Sequence, residues 1–506
     1  MGRSVILYRG SLKSCNYRCS YCPFSKQKGS EKERREDKAQ WFRFVERVEE
    51  GMGQGNFQTD FGGVMVTPYG EALLYPWYWE GLARLSRLKG IDVVGAQTNL
   101  SFPEEKSLAC FGQAGGDRGK LRLWATFHPE MVSVGAFAET CIRLKQMGIT
   151  LCAGAVGVPG QEGVLWELKK MLPADIYLWI NKMDGLGRKY TEEEKKAFEE
   201  IDPYVWREWE VVPADVGQCR GRVFVDGGKG LRICNISQNI KAAEYQWQQG
   251  EVRECKRKAC SCYLAYGGRD NWMNQVLFGP YPVLRIPRKA KAVFLDIEGT
   301  LLPKGDAGKV EEEARRRVRF LETLSKEGAL LFFATTLPYG EAIKRCRDFS
   351  HWFCGGVFAG GAHVALEQKG EKKAYFFPLD ESCLAAMEAA KKEFGFRLLV
   401  YRNGKSLYKM TLVRPARKPW GQEEAGRLAS LIDPKGRCHI RWILEGNCLQ
   451  IVAAKANKAN GVRLICQWLG IAEADIAAAG DTKEDEEMMK IGADCQRPEK
   501  PAAWLR

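Results

Sequence analysis

Two patterns of hydrophobic residues alternate over the first 200 positions of the chain. One pattern consists of short apolar runs, which are typical of strands, at residues 4–8, 63–67, 91–97, 121–127, 149–156 and 175–181. The other consists of apolar residues that recur every three or four positions, as on one face of a helix, at residues 37–50, 77–89, 103–111, 134–147 and 163–172. Strands that alternate with helices pair in parallel through right-handed crossovers. The pattern therefore predicts an α/β fold in which six strands of residues 1–214 form an open sheet or a partial (β/α)6 barrel.

The pattern changes beyond this region. Residues 215–285 are rich in Cys, Arg and Gly and contain only short apolar runs, which predicts a small cysteine-rich extension. After a proline-containing linker, a second α/β unit is predicted over residues 290–506. Its strand signals lie at residues 292–295, 329–335 and 475–480. Between the last two, Asn403-Gly404 separates two alternating runs and predicts a β-hairpin.

Composition narrows the class of protein. A chain of 506 residues with 45% hydrophobic content is long enough for about three domains, at roughly 100–200 residues each. Its longest apolar run, residues 329–334, is far shorter than the roughly 20 residues that span a bilayer. We therefore expect a cytoplasmic protein with no membrane partner. The net charge of +14 is spread along the chain, which favours a solvated basic surface, with RNA or small anionic substrates as alternatives.

The 18 cysteines are spread unevenly, and three of them crowd the loop after the first strand. In a reducing compartment, clustered cysteines suggest metal ligands before they suggest disulfides. Three thiolates, from Cys15, Cys19 and Cys22, can bind three irons of a 4Fe–4S cluster and leave the fourth iron open. A structural zinc ion would require a fourth Cys or His nearby, and none follows within 80 residues.

This cysteine spacing, with the aromatic Tyr21 before the last cysteine, resembles the signature of the radical S-adenosylmethionine (radical SAM) superfamily. The segment from Val66 to Ala72 resembles the family's Gly-Gly-Glu-Pro loop, although Tyr69 and Ala72 replace its first Gly and its Pro. Thr98-Asn99 resembles a Thr-Asn-Gly variant after the third strand. The resemblance implies a partial (β/α)6 barrel, SAM bound at the open iron, a 5′-deoxyadenosyl radical, and an electron donor such as flavodoxin or ferredoxin. The cofactor-binding residues that it implies are Tyr21, Gly70, Glu71, Thr98 and Asn99.

A second group of cysteines follows in the extension. Its members are Cys219, Cys234, Cys255, Cys260 and Cys262. The first two resemble the opening of the SPASM and twitch extensions of radical SAM enzymes, which implies an auxiliary 4Fe–4S cluster. The implied ligands are Cys219, Cys234, Cys255 and one or both of the last two cysteines. A zinc site and free thiols remain alternatives.

Acidic residues follow two strands of the last unit. A carboxylate at Asp296 can attack phosphorus, and a second acid at Glu298 can protonate the leaving group. Asp481 and Asp485 offer hard oxygen ligands for Mg²⁺ beside a phosphate. Between these two acidic groups in the chain, Thr335 can hydrogen-bond phosphoryl oxygens, and Lys458 can neutralise developing charge.

These four parts, in their order along the chain, resemble the motifs of the haloacid dehalogenase (HAD) superfamily. The resemblance implies a Rossmann-like core at 290–338 and 452–506 and an α/β cap of the C2 type at 339–451, as in Cof-like sugar phosphatases. Glu298 replaces the usual second Asp of the first motif, a form that also resembles the enolase-phosphatase branch. Lys455 is an alternative to Lys458 as the motif lysine. The implied Mg²⁺ ligands are Asp296, Glu298, Asp481 and Asp485.

The predicted function is that of a bifunctional biosynthetic enzyme. Its N-terminal half is expected to perform SAM-dependent radical chemistry, and its C-terminal half to hydrolyse a phosphate monoester. The expected substrate is a phosphorylated small metabolite, either sugar-like or nucleotide-like. Two alternatives are modification of a peptide or protein, and a radical enzyme with a non-catalytic C-terminal module that binds RNA or serves as a scaffold.

Overall fold

The computed structural model describes most of the chain. The described residues are 4–24, 28–53, 61–209, 222–228, 230–232, 271–303, 307–368, 370–432, 440–445 and 447–491. The chain divides into two compact units, Gly2–Arg288 and Lys289–Arg506. The first unit contains both regions that the sequence predicts as separate N-terminal domains.

Strands and helices alternate in the N-terminal unit. Its strands are β1 (Ser4–Arg9), β2 (Phe61–Val66), β3 (Val93–Thr98), β4 (Leu121–Phe127), β5 (Thr150–Gly157), β6 (Leu178–Lys182), β7 (Arg222–Asp226) and β8 (Gly230–Arg232). Its helices are α1 (Glu31–Gly53), α2 (Pro76–Ser86), α3 (Glu104–Gln113), α4 (Val134–Gln146), α5 (Glu162–Met171), α6 (Glu192–Ile201), α7 (Trp206–Trp209) and α8 (Asn271–Phe278).

The strands of this unit form one sheet in the order β6-β5-β4-β3-β2-β1-β7-β8. The first six strands pair in parallel with their neighbours in the chain, which confirms the predicted parallel α/β sheet. Strand β7 pairs in parallel with β1, although its residues were predicted to lie in a separate extension. Parallel pairing brings the carboxyl ends of all six consecutive strands to one edge of the sheet.

Alternate residues of the strands pack into two different cores. On one face, Leu123 and Ala125 of β4 pack with the helices. On the other face, Trp124 packs with Trp179 of β6 and with the segment 281–286. Arg285 of this segment has a left-handed backbone (φ 49°), and its guanidinium lies 3.6 Å from the centre of the Trp179 ring. The segment thus covers part of the second face of the sheet.

The described residues of the C-terminal unit form two sheets. Its strands are β9 (Ala292–Leu295), β10 (Leu330–Ala334), β11 (Phe353–Phe358), β12 (His363–Gln368), β13 (Glu371–Phe376), β14 (Arg397–Asn403), β15 (Ser406–Val413), β16 (Ile440–Glu445), β17 (Cys448–Ala453) and β18 (Ile476–Ala479). Its helices are α9 (Ala307–Lys326), α10 (Tyr339–Arg345), α11 (Ser382–Phe394), α12 (Gln422–Ile432), α13 (Lys458–Leu469) and α14 (Glu486–Met489).

The larger sheet has the order β13-β12-β11-β10-β9-β18, and its last four members are parallel. Strands β11, β12 and β13 were predicted to lie in the cap but extend this core sheet, because β11 pairs in parallel with β10. The smaller sheet, β14-β15-β17-β16, is antiparallel throughout. Its β14–β15 turn contains Gly404 with φ 59°, which confirms the predicted hairpin.

In the described ranges of both units, the helices are too short or too polar to cross a lipid bilayer.

Candidate functional site

The carboxyl ends of three neighbouring strands form the first site, in the C-terminal unit. Leu295, the last residue of β9, pairs with Phe333 of β10 on one side and with Ala479 of β18 on the other. Asp296, Thr335 and Asp481 follow these strands. The structure therefore brings three of the predicted site residues to one edge of the sheet.

A cluster of carboxylates occupies this edge. Asp296, Asp481 and Asp485 each offer an oxygen that lies within 4.8 Å of the others. Gly299 packs against the cluster and has a left-handed backbone (φ 88°). A Cβ atom on it would lie 2.1 Å from Asp481 Oδ2, so this position requires glycine. Carboxylate oxygens at this spacing are the donors that a hard divalent cation such as Mg²⁺ prefers. The three residues therefore fit the predicted magnesium site.

Lys458 contacts two members of the carboxylate cluster. Its Nζ donates hydrogen bonds to Asp296 Oδ1 at 2.9 Å and to Asp485 Oδ1 at 2.5 Å. The side chain is buried, and Asn457 caps the helix α13 that presents it, accepting a hydrogen bond from the backbone N–H of Asn460. Lys455, the competing candidate, is exposed. The structure therefore selects Lys458 as the lysine of the cluster.

The electrostatics of the cluster follow from its burial. Burial raises the pKa of Asp296 to about 7, and the nearby Asp485 and Asp481 carboxylates add to the rise while Lys458 opposes it. Burial disfavours the ammonium of Lys458, but the two carboxylates that it contacts outweigh burial and raise its pKa. A bound divalent cation would favour the ionised form of Asp296.

The other two predicted residues make different contacts. Glu298 forms an ion pair with Arg345 of α10, a residue that the sequence did not single out. The side chains of Glu298 and Arg345 are 35% and 41% exposed. Among the described residues, the close carboxylate group does not include Glu298, although it was predicted as a ligand. The Thr335 hydroxyl accepts a hydrogen bond from the Leu337 N–H at 3.1 Å, which fixes the loop after β10.

A cavity of about 200 Å³ forms the second site, at the carboxyl edge of the N-terminal sheet. Residues at or just after the ends of β2 to β6 and from the loop after β1 line it. The predicted residues among them are Cys15, Cys19, Tyr21, Cys22, Gly70, Glu71, Thr98 and Asn99. His128, Asn181 and Lys182 were not predicted as site residues, although their positions at the ends of β4 and β6 signal them.

The loops after β2 and β3 hold the cysteine loop. A Cβ atom on Gly70 would lie 1.8 Å from the carbonyl oxygen of Ser14, so only glycine allows this approach. The next residue, Glu71, donates its N–H to that same oxygen at 2.9 Å. Its carboxylate accepts hydrogen bonds from the Thr98 hydroxyl at 2.9 Å and the Asn99 N–H at 2.6 Å. The Asn99 side-chain amide in turn lies 3.9 Å from Cys15 Sγ.

Burial also governs the ionisation of this site. It raises the pKa of Glu71 to about 7, despite hydrogen bonds that favour the charged form. It raises the pKa of Cys19 to about 11, and the neighbouring thiols of Cys22 and Cys15 add to the rise. The three thiols line one cavity, and a metal bound there would displace their protons. The residues therefore fit an iron–sulfur cluster with three cysteine ligands.

The second group of predicted cysteine ligands is not placed. Cys219, Cys234, Cys255, Cys260 and Cys262 all lie outside the described residues.

Comparisons with known proteins concern the C-terminal unit. Residues 435–492 match a family model described as haloacid dehalogenase-like hydrolase. Among solved structures, a haloacid dehalogenase-like hydrolase from Bacteroides thetaiotaomicron is 16% identical, with 41% of this chain and 88% of that chain covered and a TM-score of 0.35. A HAD subclass IIB sugar phosphatase is 18% identical, with 40% of this chain and 85% of that chain covered and a TM-score of 0.32. A protein from Streptococcus mutans is 15% identical, with 42% of this chain and 89% of that chain covered and a TM-score of 0.33. The family match supports a haloacid dehalogenase-like hydrolase domain in the C-terminal region of the chain.

Proposed function

We propose that the protein is a bifunctional enzyme that hydrolyses a phosphate monoester in its C-terminal unit and performs SAM-dependent radical chemistry in its N-terminal unit. The observation that carries the first activity is the buried contact of Lys458 with Asp296 and Asp485. The substrate class that we propose is a phosphorylated small metabolite, sugar-like or nucleotide-like. The family match at residues 435–492 supports the hydrolase part.

Phosphate transfer in the C-terminal unit would begin at Asp296. Its carboxylate oxygen attacks phosphorus, the ester P–O bond breaks, and the leaving alcohol takes a proton from Glu298. Water then attacks the aspartyl-phosphate, gives a proton back to Glu298 and releases phosphate with Asp296 restored. Lys458 balances the charge that develops on the phosphoryl oxygens. A magnesium ion held by Asp296, Asp481 and Asp485 would supply further positive charge at the phosphate.

Hydrolysis of p-nitrophenyl phosphate by the full-length protein tests the first activity. We expect turnover that requires Mg²⁺, that stops when the metal is chelated, and that is lost in Asp296→Asn. The matched control is Asp348→Asn, because Asp348 is an exposed aspartate of the same unit. Failure of the wild type to hydrolyse this and a panel of sugar and nucleoside monophosphates with Mg²⁺ would refute the phosphatase proposal.

The radical activity is supported by the cavity that Cys15, Cys19 and Cys22 line together with Glu71 and Asn99. A 4Fe–4S cluster with bound SAM would supply a 5′-deoxyadenosyl radical in this cavity. The protein's own residues hold the cysteine loop through Glu71, and Asn181 and Lys182 at the end of β6 provide polar groups that line the same cavity. Reduction would require an external donor such as flavodoxin or ferredoxin.

Anaerobic reconstitution with iron and sulfide tests the radical proposal. About four irons per chain would indicate one cluster, and about eight would indicate an auxiliary cluster as well. We expect Cys19→Ser to lose the first cluster and Cys110→Ser, which changes a cysteine outside the cavity, to retain it. A protein that binds zinc and no iron would refute this half of the proposal.

A further inference from the structure

The loop after β4 contacts the turn between two of the proposed iron ligands. The Glu130 carboxylate accepts hydrogen bonds from the Ser20 backbone N–H at 2.6 Å and from the Ser20 hydroxyl at 2.5 Å. Ser20 follows Cys19 directly and stands two positions before Cys22. The contact joins residues 110 positions apart, so the fold and not the local chain places this carboxylate beside the cysteines.

A second contact from the same loop fixes the next residue of the turn. The Tyr21 hydroxyl lies 3.0 Å from His128 Nδ1, and the two rings stack at an interplanar angle of 20°. Two consecutive residues of the turn, Ser20 and Tyr21, are therefore held by His128 and Glu130. The carboxylate has a fixed position relative to the Cys19 thiol, which is buried.

Two electrostatic effects follow for a cluster bound at Cys19. The Ser20 N–H points to Glu130, so this donor is not available to stabilise a negatively charged sulfur. The Glu130 carboxylate is exposed, but it adds negative charge next to the residue that follows the buried Cys19, where addition of an electron to a bound cluster is opposed. Hydrogen bonds to sulfur and net charge are two of the factors that set the potentials of iron–sulfur clusters.

We propose that Glu130 is a positioning residue that lowers the reduction potential of the 4Fe–4S cluster bound by Cys15, Cys19 and Cys22. This inference rests on the radical function proposed above, because it requires a cluster at these cysteines. A lower potential makes the reduced cluster a stronger electron donor, which reductive cleavage of SAM demands.

The test is a redox titration of the reconstituted full-length protein, in which the electron paramagnetic resonance signal of the reduced cluster gives the midpoint potential. Glu130→Gln removes the charge and keeps the shape, so we expect its midpoint potential to shift to a less negative value. Glu130→Asp keeps the charge and should stay closer to the wild type than Glu130→Gln does. Glu105→Gln changes an exposed glutamate of α3 and should give the wild-type potential.

Equal midpoint potentials for Glu130→Gln and the wild type would overturn the inference. If neither Glu130→Gln nor Glu130→Ala takes up iron while Glu130→Asp does, the carboxylate only holds the loop, and the effect on potential is likewise overturned. A wild-type protein that takes up no iron would instead refute the radical function itself. Iron content therefore separates the two kinds of failure.

Discussion

Among single residues, Lys458 has the most demanding environment. A buried ammonium group is stable only when charged or hydrogen-bonding partners replace its water, and Lys458 has two carboxylates for this purpose. The same contacts hold two aspartates that would otherwise repel each other in a buried site. The residue thus stabilises the carboxylate cluster and is placed to stabilise a bound phosphate.

Lys458→Met should lower the kcat for phosphate monoester hydrolysis by about 10²–10³, since removal of one preorganised charge partner has effects of this size. The substitution keeps the aliphatic stem and leaves Asp296 and Asp485 without their shared cation. Steady-state kinetics with p-nitrophenyl phosphate measures the change. Lys455→Met is the control, because Lys455 precedes by three positions and is exposed. A larger loss in Lys455→Met would show that the other lysine carries the role.

His363 should make the C-terminal unit sensitive to acid. Its ring stacks on Phe376 with centroids 4.1 Å apart, and burial lowers its pKa to about 4. In the unfolded chain the pKa is near 6.5, so between these values the unfolded state binds a proton that the folded state does not. The free energy of unfolding should therefore fall as the pH drops from about 6.5 to 4, by about 1–2 kcal/mol once partial exposure is allowed for.

Urea denaturation of the full-length protein at pH 7 and pH 4.5 measures this effect. His363→Phe keeps an aromatic ring in the stack and should reduce the difference between the two pH values. His351→Phe, which changes an exposed histidine of the same unit, should leave the difference as in the wild type. An unchanged difference in His363→Phe would contradict the assignment.

At the scale of elements, both candidate sites lie where parallel strands end. Strand positions could be predicted because apolar runs alternate with helical patterns, and parallel pairing then brings Glu71, Thr98 and Asn99 to one edge. The sheet to which each strand belongs was harder to predict. Strands β11 to β13 read as part of the cap because the alternation of residues does not specify which neighbour a strand pairs with.

Contacts between loops were beyond prediction from sequence for a related reason. Glu130 contacts Ser20, and His128 contacts Tyr21, although these pairs lie more than 100 positions apart in the chain. The local sequence around His128 and Glu130 does not indicate that these two residues contact the cysteine loop. Similarly, the pairing of Glu298 with Arg345 depends on where α10 follows β10. The sequence therefore predicts which residues follow the strands, but not the residues from other loops that contact them.

Gly70→Ala should separate the loop after β2 from the cysteine loop. The added Cβ would lie 1.8 Å from the Ser14 carbonyl oxygen, a backbone atom that cannot rotate away. We expect the variant to fold, since the rest of the sheet is unaffected, and to lose most of its iron uptake on reconstitution. Gly112→Ala in helix α3 is the control, because a Cβ there meets no atom within 4 Å. Full iron content in Gly70→Ala would show that the two loops need not touch.

At the scale of the whole molecule, each unit has its own hydrophobic core and its own set of chemical groups. The cores of the N-terminal unit contain residues from Val5 to Leu284, and those of the C-terminal unit contain residues from Ala292 onwards. The carboxylate cluster draws only on the second unit, and the cysteine cavity only on the first. Two activities on one chain are then expected to fail separately when their own residues are changed.

Asp296→Asn should abolish phosphate hydrolysis and leave formation of 5′-deoxyadenosine at the wild-type rate, because Asp296 lies outside the unit that forms the cysteine cavity. Cys19→Ser should have the opposite effect, since the loss of one thiolate removes the cluster and leaves the carboxylates and Lys458 in place. Phosphate release and chromatographic detection of 5′-deoxyadenosine, measured on the same preparations, give both activities for each variant. Loss of both activities in either variant would mean that the two sites are coupled, which separate cores and separate residue sets do not predict.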